Sequence, residues 1–150
     1  MRPAISVGTS VSRVGSAAQI KAMKQVAGKV KLELAQYREM AAFSQFGSDL
    51  DAGTRALLDR GQRTVEIFKQ VQYQPLPVEA QVLILWCVTN GHLDTIPVDK
   101  VKAFQNGLIE FATTRKAGLL EQIRRERVLT DAIAADVKKC VEEFKAGFKS

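Results

Sequence analysis

From Ala17 onward, apolar side chains recur every three or four positions, the spacing that puts them on one face of a helix. Ile20, Met23, Ala27, Val30, Leu34, Tyr37 and Ala41 form the first stripe, with Ser16 as a candidate N-cap and Gly28 as a candidate kink. Gly47 is placed to end this run, and Asp49 or Asp51 to cap the next. Leu57, Gly61, Val65 and Phe68 make the second stripe, which stops before Tyr73-Gln74-Pro75-Leu76-Pro77. Pro77 and Glu79 open a third segment. Its run Val82–Val88 has the look of a buried strand, but it lies in a stretch of helix length that ends at Asn90-Gly91, which predicts a central helix. Val101, Phe104, Leu108 and Phe111 follow, with Asp99 near their start; Leu119, Leu120 and Ile123 predict a short helix. Thr130 or Asp131 caps the last one, whose core face is Ile133, Val137, Val141, Phe144 and Phe148. Five or six helices with short connections predict an all-α bundle over residues 28–150.

The first 27 residues do not fit that bundle. Ala4-Ile5-Ser6-Val7 alternates as a half-buried strand does, and Gly8-Thr9-Ser10 breaks it. A single strand has no partner for its backbone hydrogen bonds. Residues 1–27 are therefore expected to be a strand, a loop and a helix start left from a different domain.

Charge adds a second asymmetry. Arg2, Arg13, Lys21, Lys24, Lys29 and Lys31 precede the first acid, Glu33, while the rest of the chain is balanced; the net charge of +6 thus sits in the first fifth. An anionic partner would be met there, or the lysines form a solvated helix face. Val82–Val88 is the longest apolar run, far short of the roughly 20 residues that span a bilayer. No signal peptide is legible, since Ser6–Ser16 is rich in Gly, Ser and Thr. Cys87 and Cys140 share no metal-ligand spacing and are read as reduced thiols on buried helix faces of an intracellular protein.

A self-contained active site is not legible. His92 is the sole histidine and reads as a turn residue, Glu142-Glu143 reads as a solvated helix side, and no phosphate-binding Gly-x-x-x-x-Gly-Lys loop occurs. What stands out is Gly8-Thr-Ser-Val-Ser-Arg-Val-Gly-Ser16, one arginine in a loop of small residues. Small residues permit close approach of another surface. A guanidinium offers a phosphate two parallel hydrogen bonds and a charge that is never lost.

The stretch Arg2-Pro-Ala-Ile-Ser-Val-Gly-Thr-Ser-Val-Ser-Arg-Val-Gly-Ser-Ala-Ala-Gln19 resembles the signature of alpha subunits of F-type rotary ATP synthases. Leu34–Glu39, Phe43–Asp51, Lys69-Gln-Val-Gln-Tyr73 and Gly91-His-Leu-Asp94 follow in that family's order; the likeness is dense to about residue 94 and then thins to a helical pattern. The resemblance implies a C-terminal portion cut inside the nucleotide-binding domain. It implies that Arg13 is an arginine finger acting in the catalytic site of the neighbouring beta subunit, with Val11 and Ser12 shaping its loop. Arg2, Pro3, Gln70 and Gln72 match positions that hold adenine in alpha's own, non-catalytic site. The turn Glu39–Asp51 matches the surface facing the central gamma stalk; Asp49 and Asp51 suit either basic rotor contacts or helix caps, and Phe43 and Phe46 read as core or turn packing. The implied cofactors are ATP or ADP with magnesium in the complete subunit and none for the piece alone, which is expected to be inactive. The implied location is peripheral, on the bacterial cytoplasmic or mitochondrial matrix face of the inner membrane, without nucleic acid. Trp86-Cys87 and Arg60–Phe68 depart from the family pattern. The rival reading is a small basic helical module for nucleic acid or acidic partners, against which stands the lack of aromatic interleaving.

Overall fold

The computed structural model describes residues 3–6, 10–44 and 50–148. It is all-α: α1 Gly15–Ala18, α2 Lys21–Ser44, α3 Ala52–Phe68, α4 Val78–Thr89, a 3₁₀ turn Val98–Lys100, α5 Val101–Arg115, α6 Ala117–Glu126 and α7 Asp131–Gly147. No strand occurs among the described residues. Ala4-Ile5 lie in a bend and Ser6 is irregular, while Val7, the last residue of the expected strand, is outside the described residues. The alternation was real, but an isolated segment has nothing to complete a ladder.

α4 is the middle of the bundle. Val82, Leu83, Ile84, Leu85, Cys87 and Val88 are all buried, so the helix is apolar nearly all round, as a helix enclosed by others must be. It packs on α2, α3, α5, α6 and α7. The run looks like a buried strand because a helix enclosed on all sides needs no polar face, so periodicity cannot tell the two apart and length and flanking stops decide. Around α4 the predicted stripes close the core: Met23, Val30 and Leu34 of α2, Phe104 and Leu108 of α5, Ile123 of α6, and Ile133, Val137 and Val141 of α7. On α2 the buried line also takes in Val26, with Ala27 only partly buried. Phe104 meets Phe144 and Phe148 edge-on at 5.2 Å, a geometry that suits the ring quadrupoles. Both cysteines are buried free thiols, and burial pushes the Cys87 thiol up to about 12, so it holds its proton and reacts poorly.

α2 begins otherwise than expected. Ser16 lies inside the four-residue α1, and the chain breaks at the extended Gln19 before α2 starts. In place of a side-chain cap, the Ala22 N–H donates to the Arg127 carbonyl at 2.9 Å. The Gln25 amide bonds both backbone groups of Leu129, donating to its carbonyl at 3.1 Å and accepting from its N–H at 2.9 Å. Arg127 adopts φ 57°, a left-handed conformation that ends α6. The root of α2 is thus tied to the α6–α7 turn, over a hundred residues away. Gly28 causes no break: one exposed glycine costs a helix about 1 kcal/mol, against the buried face of 24 residues. Phe43, expected in packing, is 68% exposed; Phe46, Gly47 and Asp49 lie outside the described residues.

Asp51 does cap α3. Its carboxylate accepts from the N–H groups of Gly53 and Thr54 at 3.0 and 3.1 Å and from the Thr54 hydroxyl at 2.5 Å. The hydroxyl bond first, then the Thr54 and Gly53 N–H bonds, hold its carboxyl below the ordinary aspartate value. A depressed folded-state value means that the cap's contribution is complete above the unfolded value and drains away as pH falls through the folded one. Asp51→Asn keeps a capping oxygen without the titration. The urea midpoint of the wild-type chain is therefore expected to fall towards that of the variant as pH drops below about 4, and to exceed it at neutral pH. A constant difference between the two across the acid limb would contradict this.

Candidate functional site

Two surface loops carry the residues singled out from sequence. The first runs from Ser10 to Val14 into α1. The Ser10 N–H reaches back to the Ser6 carbonyl at 2.9 Å, and the Ser12 hydroxyl accepts from the Gly15 N–H at 2.9 Å, capping the first turn of α1. Ser12 therefore shapes the loop by its own chemistry. Arg13 follows it, exposed and without an ion pair among the described residues. On either side stand Val11, 89% exposed, and Val14, 72% exposed. A free guanidinium between two bare valines has the composition of a contact surface: an apolar rim that gains by being covered, and a charge with donors to offer.

The second loop, residues 69–77, joins α3 to α4. The Gln74 N–H bonds the Val71 carbonyl at 3.3 Å, closing a turn in which Tyr73 holds φ 62° where glycine is usual. Tyr73 is also 91% exposed. The Gln70 amide donates to the Gln74 carbonyl, and the Gln81 amide donates to the Leu76 carbonyl at 2.7 Å. Gln70 lines a half-open cavity of about 260 Å³ beneath the loop; Gln72 is exposed and does not line it. Pro3 is half-exposed in the N-terminal segment and is not part of that cavity either. Arg2 and Asp49 lie outside the described residues.

Sequence reasoning missed two residues in the cavity floor. Lys102 and Gln105 of α5 sit beside the core positions Val101 and Phe104, and both line the cavity. Two polar residues on the apolar side of a helix were the available signal.

The other candidates take structural places. His92 stacks on Trp86 at 5.3 Å and is held by the Lys145 ammonium, which donates to its carbonyl at 2.9 Å; burial first, then the Lys145 charge, lowers its pKa. Glu142 and Glu143 face solvent, paired with Lys138 and Lys116. Lys21, Lys24, Lys29 and Lys31 are exposed along α2. Arg60 of α3 grips Asp94 through two bonds, 3.1 and 2.5 Å, beside Gly91, whose φ of 76° is the left-handed turn that ends α4. Among the described residues, no group of three or more His, Cys, Asp or Glu could hold a metal ion, and no helix is long and apolar enough to cross a membrane.

The fold and its two loops define a helical bundle domain that presents an unpaired arginine and a glutamine-bearing turn at its surface. Residues 19–144 match the family described as ATP synthase alpha/beta chain, C terminal domain, and the chain belongs to that family. It is 57% identical over 148 residues to the mitochondrial ATP synthase subunit alpha of Schizosaccharomyces pombe, a match that covers 99% of this chain. The chain spans 28% of the length of that curated relative. The likeness lies with the alpha subunit, and this chain corresponds to its C-terminal domain.

Proposed function

We propose that this chain serves a rotary ATP synthase as the C-terminal part of an alpha subunit, with Arg13 as an arginine finger reaching the catalytic site of a neighbouring beta subunit. The observation that carries this reading is the presentation of Arg13, unpaired and flanked by two exposed valines. The family resemblance of that loop and the long match to an alpha subunit support it. The guanidinium would sit at the terminal phosphate and stabilise charge as the bond to phosphate forms or breaks. Val11 and Val14 would be covered by the same partner.

Arg2 and Pro3, with Gln70 and Gln72, would hold adenine in alpha's own non-catalytic site; amide groups match the donor–acceptor edge of the base. ATP or ADP and magnesium belong to the complete subunits. The segment Glu39–Asp51 would face the central gamma stalk. There Asp49 is the better candidate, because Asp51 spends its carboxylate on α3. On this reading residues 1–27 continue the nucleotide-binding domain, with Met23 and Val26 at the seam already packed into the core of the bundle that residues 28–150 form, and the whole is peripheral to the membrane.

The purified chain is expected to hydrolyse no ATP above background in a steady-state phosphate-release assay, because its finger serves another subunit's site. Turnover by the chain alone would refute that division of labour. The role of Arg13 is tested by Arg13→Ala in a complete alpha subunit assembled with beta. Loss of turnover with nucleotide still bound supports the finger, and normal turnover overturns it.

A further inference from the structure

Lys102 reaches out of α5 to two acceptors, the Ile67 carbonyl at 3.2 Å and Gln105 Oε1 at 2.8 Å. Ile67 is in the last turn of α3, where carbonyls have no donor within the helix and a cation meets the negative end of the dipole. The chain leaves α3 one residue later, the Lys69 N–H bonds the Glu66 carbonyl at 3.1 Å, and Gln70 follows. Lys102 thus holds the root of the loop that carries both glutamines.

The loop is tied internally by the Gln74 N–H to Val71 and the Gln70 amide to Gln74, and its far end by Gln81 to Leu76. A segment closed on itself in this way turns as one body about its ends, so its direction is set where it is anchored. Gln105, only 4% exposed, holds Lys102 in place: its Oε1 accepts from the ammonium, and no described residue accepts from its Nε2. Lys102, Gln105 and Gln70 line one cavity. Burial lowers the pKa of Lys102, with Glu66 opposing the shift and Lys69 adding to it. A half-dry ammonium is costly to keep at a place where a methionine would fill the same space.

We propose that Lys102 is a positioning residue for nucleobase recognition: through the Ile67 carbonyl it sets the direction in which the 69–77 loop offers the Gln70 and Gln72 amides. This rests on the reading of those glutamines as base contacts. The test places Lys102→Met, Lys102→Arg and Gln72→Ala in a complete alpha subunit assembled with beta. It measures binding of ATP and GTP at alpha's own site, together with thermal stability. Lys102→Met is expected to weaken ATP binding about tenfold and to erode the preference for ATP over GTP, with little change in Tm. Lys102→Arg, which keeps the donors and the charge, is expected to restore most of both. Undiminished preference in Lys102→Met, alongside its loss in Gln72→Ala, would overturn the positioning role and leave the glutamine reading intact. Undiminished preference in Gln72→Ala as well would remove the glutamine reading and this proposal with it. A large fall in Tm, with binding unchanged in the fraction that stays folded, would make Lys102 a helix cap only and would also overturn the proposal.

Discussion

A complete alpha subunit carrying Arg13→Ala, assembled with beta, is expected to turn over ATP roughly 10³–10⁵ times more slowly than wild type, the range in which arginine fingers act elsewhere. That corresponds to roughly 4–7 kcal/mol of barrier. The size follows from where the charge is used. In a water-excluded site, a guanidinium aimed at developing charge needs no reorganisation at the moment of reaction. Arg13→Lys keeps the charge but loses the planar fork, and is expected to fall between alanine and wild type. The same side chain is exposed and unpaired in this chain, so Arg13→Ala should leave the melting temperature of the isolated domain unchanged. The pairing of a large kinetic loss with no loss of stability separates a finger from a structural arginine. Single-turnover and steady-state assays on the complex, with calorimetry on the domain, supply both halves. Near-normal turnover would remove the assignment.

The bundle was legible where local pattern and tertiary demand agree. The stripes of α5 and α7 face the core as their spacing predicts, whereas α3 turns Gly61, Thr64 and Ile67 inward and leaves Val65 and Phe68 half-buried and Leu57 outside the core. Asp51 and Thr130 cap the helices they precede. Pro77 and Asn90-Gly91 bounded α4 well enough to overrule a run that resembled a strand. What was not legible depends on residues distant in sequence. The start of α2 is fixed by Arg127 and Leu129 rather than by its own cap, so no local rule could place it. The Ala4–Val7 alternation predicted a strand because pattern reports the side chains and says nothing of whether a neighbour exists.

The candidate site divides in the same way. Arg13 could be picked out because its significance is local, one arginine among small residues, and a family motif then gave it a role. Gln70 and Gln72 were found only through that resemblance. Lys102 could be noticed as a polar residue beside core positions, but its partner could not be read, because its acceptor, Ile67, lies 35 residues earlier and on another helix. The bond between Gln70 and Gln74 is within the loop, yet it depends on Tyr73 adopting a conformation that sequence rules assign to glycine.

Gly61→Ala is expected to destabilise the domain by about 3 kcal/mol, at the upper end of ordinary overpacking. A Cβ at this position would fall 2.2 Å from Tyr37 Cδ2, 2.3 Å from Cγ and 2.6 Å from Cβ. The last of these matters most, because Tyr37 Cβ is fixed to the α2 backbone and cannot swing aside as a ring can. Relief requires α2 and α3 to separate, and both also pack on α4. For a chain of this length the melting temperature should drop by about 6–12 °C. Gly28→Ala gives the opposite sign: nothing lies within 4 Å of its Cβ, and the change should add about 1 kcal/mol through helix propensity alone. Tyr37→Ala combined with Gly61→Ala removes the ring contacts but leaves Cβ. The pair should therefore cost less than the sum of the single changes without restoring wild-type stability. Thermal unfolding of the four variants decides the matter. A Gly61→Ala domain as stable as wild type would mean that the close approach of α2 and α3 does not exist in solution. Additive losses would mean that the cost arises somewhere other than at Tyr37.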